Sequence, residues 1–107
     1  MPLGEFERVV LLAILRLGNR AYGMQIRDEI AARLGREVSI GALYRTLARM
    51  ETKGLVEHEM GSPSAARGGR AKKYFLLRAA GRESLESSRE TLSRMWEGVT
   101  ADAGDSR

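Results

Sequence analysis

The sequence predicts a mainly α chain with a small β-hairpin, ordered as three helices, the hairpin and a long final helix. Three observations predict it. Apolar residues recur at helical spacing over residues 3–17, 22–34 and 40–53. Two short strand-like runs, "LVEHEM" (55–60) and "KKYFLL" (72–77), flank a stretch too rich in Gly, Pro and Ala to hold regular structure. Beyond residue 79 the apolar positions thin to a heptad-like seam.

The first helix carries Phe6, Val9, Val10, Ala13, Ile14 and Leu17 as one stripe, with Leu11, Leu12 and Leu15 covering much of the remainder. A helix apolar nearly all round is buried on more than one side, and one small core can hardly cover both. A subunit interface would cover the second. The next helix places Tyr22, Ile26, Ile30 and Leu34 at steps of four, with "LGNRAYG" before it and Gly35 after it as breaks. Val38, between Glu37 and Ser39, reads as a minimal strand.

"SIGALYRTLARMETKGL" (39–55) has a sharply divided surface. At about 100° per residue, Ile40, Leu43, Leu47 and Met50 fall within one arc of roughly 80°. Gly41, Ala42, Arg45, Thr46, Arg49 and Lys53 share another arc of roughly 140°. Ser39 stands where an N-cap belongs, and Gly54 closes the helix with Leu55 as the following hydrophobic contact. Tyr44 lies at the edge between the arcs. After the hairpin, residues 79–98 form a helix whose seam is Leu85, Leu92, Met95, Trp96 and Val99. The tail "TADAGDSR" is expected to fray.

Composition narrows the functional classes. The 107 residues hold one domain and one modest core, and 43% hydrophobic with 30% charged content is ordinary for a globular protein. The absence of cysteine excludes a disulfide framework and thiolate metal sites and suits a reducing compartment. The longest apolar run, "VVLLAIL", is far shorter than the ~18 residues of a membrane span. No secretory signal is evident, so a cytoplasmic location is expected. His58 lies alone on a strand between Glu57 and Glu59, and no nucleophile, acid/base pair or metal cluster emerges. An enzyme is therefore not expected, nor a metal or cofactor. The net charge is +4, but residues 62–82 alone carry +6 while residues 83–107 carry −3. One end of the chain is suited to a polyanion and the other to a different task.

Three helices, a hairpin with a basic tip and a seamed helix make the order of a winged helix-turn-helix plus a C-terminal dimerisation helix. The sequence also resembles the PadR family of bacterial transcriptional regulators, in its branch with a short C-terminal helix. "LGEFERVVLLAIL", "AYGMQI", "IGALYRTLARMETKGLV" and "GGRAKKYFLL…G" carry the resemblance, over residues 3 to about 81. Gly41, Leu43, Tyr44, Leu47, Met50, Glu51, Gly54 and Leu55 form its most specific part. Two positions depart from the family's pattern: Arg78 stands where a capping Thr is usual, and Met24 replaces an aromatic residue. The resemblance implies a dimer on operator DNA, usually a repressor relieved by a small molecule, with the first and last helices at the dimer interface.

These readings divide the chain into a winged helix-turn-helix domain (1–78), a dimerisation helix (79–99) and a tail (100–107). Ser39, Gly41, Ala42, Tyr44, Arg45, Arg49 and Lys53 are the DNA-facing candidates on the third helix. Arg49 is preferred to Arg45 as the base reader. Arg67, Arg70, Lys72 and Lys73 would form a basic wing along phosphates or the minor groove, unless the tip is basic only for solubility. Phe6, Val10, Leu85, Leu92, Met95, Trp96 and Val99 are the interface candidates. Trp96, Met95 and Val99 would also line a site for a small hydrophobic or aromatic effector, or else simply fill the dimer core. The partner expected is palindromic double-stranded DNA. The competing reading is a protein–protein interaction module whose basic face meets an acidic partner.

Overall fold

A computed structural model describes residues 2–62 and 71–99. Helix α1 (Glu5–Arg16) leads through a turn to strand β1 (Ala21–Tyr22), which runs directly into α2 (Gly23–Leu34). Helix α3 (Ile40–Thr52), strands β2 (Val56–Met60) and β3 (Lys73–Leu77), and helix α4 (Ala79–Trp96) complete the order. The sheet is antiparallel with β3 in the centre, Val56 opposite Leu77 on one side and Ala21 opposite Phe75 on the other. The minimal strand is thus Ala21–Tyr22 rather than Val38, which is part of an irregular connection. Val38 has no strand partner among the described residues, whereas Ala21 and Tyr22 lie against an open edge of β3.

Local chemistry sets the helix ends. Ser39 Oγ accepts the Ala42 N–H at 3.1 Å, the N-cap expected of it. At the other end of α3, Gly54 takes φ 78° and the Leu55 N–H reaches back to Met50 O at 2.9 Å. Gly35 ends α2 in the same left-handed conformation. Arg78 gives α4 no side-chain cap; its backbone N–H instead donates to Leu55 O at 2.9 Å.

The core lies where α1, α2 and α3 meet the inner face of the sheet. Leu11 and Ile14 of α1, Ile26 and Ile30 of α2, and Leu43, Leu47 and Met50 of α3 gather with Phe75 of β3, all fully or almost fully buried. Each such side chain contributes about 1.5–3 kcal/mol, so the oily arc of α3 fixes which of its faces is left outward. Ile40, assigned to that arc from sequence, lies before the core begins and is exposed. Thr46, assigned to the opposite arc, is buried.

Gly81 fixes α4. A Cβ at this position would stand 3.1 Å from the Leu55 carbonyl carbon and closer still to its oxygen, so the first turn of α4 presses directly on the backbone leading into β2. Only glycine permits that approach. Past Leu85 the helix runs beside α1 as far as Leu92, and Leu92, Met95 and Trp96 are exposed.

Candidate nucleic-acid interface

Helix α3 and the β2–β3 hairpin carry the candidate surface. At the start of α3, Gly41 is exposed and Ala42 half-buried, leaving its N-terminal turn open to close approach. Tyr44 follows, with its ring lying across Gly23 and tilted against Phe75. A Cβ at Gly23 would fall 2.6 Å from Tyr44 Cζ, so glycine at the head of α2 makes room for this ring. Arg45 is exposed and has no carboxylate partner among the described residues.

Arg49 and Lys53 are placed differently. Both turn toward α1, where Glu7 is 7% exposed. Glu7 Oε2 lies 3.5 Å from Arg49 Nε and 3.4 Å from Lys53 Nζ. Its other oxygen accepts the Gly4 N–H at 2.9 Å. That backbone bond, then the Lys53 charge and the bonds from Lys53 and Arg49, hold the Glu7 carboxyl below its ordinary value against the opposing effect of burial. The single basic arc read from the sequence is therefore split. Gly41, Tyr44 and Arg45 look outward, while Arg49 and Lys53 are tied to a neighbouring helix.

The hairpin base is built from cations on aromatic rings. Arg20 lies 3.7 Å over the Tyr74 ring and is also paired with Glu59. Tyr74 meets Tyr22 edge-on, and Lys72 Nζ is 4.7 Å over the Tyr22 ring. Lys73 Nζ stands 5.5 Å from the Phe75 ring. Both lysines are exposed at the foot of the hairpin, without a carboxylate partner among the described residues. Arg67 and Arg70 lie outside the described residues. His58 is paired with Glu51 at the C-terminal end of α3, so it is a strand residue with one carboxylate neighbour. Among the described residues no group of side chains could hold a metal ion.

The interface candidates separate into two sets. Val10 is wholly buried in the core of its own chain, and Leu85 is 8% exposed, at the edge of a groove. Phe6 is half-buried against that core. Leu92, Met95, Trp96 and Val99 are open. Between α1 and α4 runs a groove of about 520 Å³ with walls of Val9, Leu12, Leu15, Leu85 and Leu92. Met95, Trp96 and Val99 lie beyond its end.

Glu7 is the residue that sequence reasoning passed over. Its signal was present: it lies three, four and seven positions before Val10, Leu11 and Ile14, inside the buried stripe. A carboxylate on such a stripe requires partners from another element.

This arrangement is a winged helix-turn-helix, and comparison with known proteins places it more narrowly. The chain belongs to the PadR-like family of transcriptional regulators, whose profile matches residues 11–87. It is similar in fold to a PadR-like transcriptional regulator from Bacillus cereus, with 24% identity, a TM-score of 0.71 and coverage of 88% of this chain and 86% of that one. A PadR family transcription regulator from hypervirulent Clostridium difficile gives 23%, 0.73, and 88% and 93%. A winged-helix DNA-binding protein from STIV gives 20%, 0.70, and 89% and 95%. No curated protein matches the sequence. The family is one of transcriptional regulators rather than enzymes. Among the described residues no helix is long and apolar enough to cross a membrane.

Proposed function

We propose that this protein is a dimeric, sequence-specific DNA-binding repressor of the cytoplasm, relieved by a small hydrophobic or aromatic ligand. The observation that carries the reading is the outward face of α3, where Gly41, Tyr44 and Arg45 are exposed and the Tyr44 ring meets Phe75, the ring beside Lys73 on the hairpin. A helix enters a major groove about 12 Å wide and reads base edges from its N-terminal turns. Gly41 and Ala42 allow the backbone to come close. Arg45 has the guanidinium fork for a guanine, and Tyr44 the hydroxyl for a phosphate. The hairpin lysines follow the backbone of the duplex.

Dimerisation is supported by the exposed apolar end of α4 and by the apolar groove beside α1, surfaces that the described residues leave uncovered. A two-fold dimer reads a palindrome. The effector reading rests on Trp96, which two-fold symmetry would pair across a shared space.

The test is selection from a pool of random duplexes by the purified protein. Convergence on a two-fold symmetric sequence, bound about 10³-fold or more above a scrambled duplex at physiological salt, is the expected result. A pool that stays unenriched would turn the basic face over to an acidic protein partner.

A further inference from the structure

The Glu7 carboxylate bridges the two helices that matter most to a DNA-binding reading. It lies on α1, its side chain is 9% exposed, and it faces Arg49 and Lys53 from the C-terminal half of α3. Its Gly4 bond fixes one oxygen to the α1 N-terminus, so the other oxygen is aimed at the two cations. Arg49 also donates to Thr46 Oγ1 at 3.4 Å, so its guanidinium is held beside the helix while its side chain stays 53% exposed. One carboxylate between two cations halves the charge that this part of α3 offers to a polyanion.

A phosphate and Glu7 compete for the same two side chains. If both left for DNA, a carboxylate would stay behind, buried and unpaired, a state more costly than a groove-facing contact returns. Arg45 faces no such competition. We propose that Glu7 is a positioning residue that holds Arg49 and Lys53 back from the phosphates, and so limits non-specific DNA binding in favour of base reading through Arg45. The proposal rests on α3 being the DNA-facing helix. It gives α1, which also borders the α4 groove, a direct hold on the basic face of α3.

Salt dependence reads this separately from affinity. Each cation that newly meets a phosphate steepens the slope of log K against log salt by about 0.9. Glu7→Gln keeps an oxygen for the Gly4 N–H and removes the charge. On a scrambled duplex it is expected to steepen the slope by about one to two units. Its scrambled-duplex affinity should rise on the order of tenfold at 0.15 M salt, with the cognate-to-scrambled ratio falling. Arg49→Gln, which leaves Lys53 on Glu7, should change neither the slope nor the ratio.

An unchanged slope in Glu7→Gln, or a fall of about one unit in Arg49→Gln, overturns the proposal. A purely structural Glu7 would instead give weaker binding to both duplexes at the wild-type slope, and circular-dichroism melting identifies that case. Arg49→Gln preserves the test if Glu7→Gln does not fold. Loss of cognate preference in the wild type would remove the regulator reading alone, since the slopes on scrambled DNA are read without it.

Discussion

Arg45 and Arg49 stand one helical turn apart on α3 and have different surroundings. Spacing placed both on the same arc, because a period of 3.6 residues resolves a face but not its edges. The edge is decided by a neighbour far away in the chain, Glu7, whose carboxylate pairs with Arg49 and Lys53. On the proposed reading Arg45 takes the base-reading role expected of Arg49 from sequence. Arg45→Ala is expected to lose about 1–3 kcal/mol of preference for the cognate site. Equal loss on cognate and scrambled duplexes would make Arg45 a phosphate contact.

Glu7 also links stability to pH. Its carboxyl is held below the ordinary value of 4.5, chiefly by the Gly4 N–H. The folded state thus binds this proton less readily than the unfolded chain does. The resulting stabilisation is complete above pH 4.5 and is lost as pH falls through the lower folded value. Denaturant titrations at pH 7 and pH 3 should show the wild type losing more stability than Glu7→Gln. Equal losses in both proteins would remove Glu7 from the acid response.

At the scale of elements, the helices were legible because their apolar periods are long and their ends are marked by Ser39, Gly35 and Gly54. The hairpin strands were legible from their flanking turn residues. The β1 pair was not, since two residues carry no period and Ala21–Tyr22 is a strand only because β3 lies beside it. Gly81 belonged to a recognisable motif, yet its reason is tertiary: contact with the Leu55 backbone, 26 positions earlier in the sequence. Gly81→Ala should therefore destabilise the protein by about 1–3 kcal/mol through overpacking against backbone. A melting temperature equal to that of the wild type would show that α4 can shift without cost.

For the whole molecule, the sequence exposed a surplus of apolar surface on α1 and α4 without saying which side was core. Val10 and Leu85 were assigned to the interface and lie inside the chain, while Leu12, treated as one of several covering residues, is half exposed on the groove. At the end of α4, Leu92 borders the groove against α1, and Leu92, Met95 and Trp96 are exposed among the described residues. If a second copy covers them, Leu92→Asp should give monomers by light scattering. An intact dimer would place the interface elsewhere. If the pair encloses an effector site, a planar aromatic ligand should quench the fluorescence of Trp96, the chain's one tryptophan. No response across a varied panel would leave Trp96 as packing alone.

Asn19 lies in the turn before β1 with φ 59°, and its side-chain oxygen accepts the Leu77 N–H at 2.8 Å. Continuing the β1–β3 register by two residues brings position 19 opposite Leu77. The amide thus stands in for the rung that a two-residue strand is too short to supply. An unfilled donor on a central strand is a template for a foreign strand, and small sheets with such an opening are prone to edge-to-edge aggregation. A single asparagine closes that opening on the central strand, beside the short strand that leaves it.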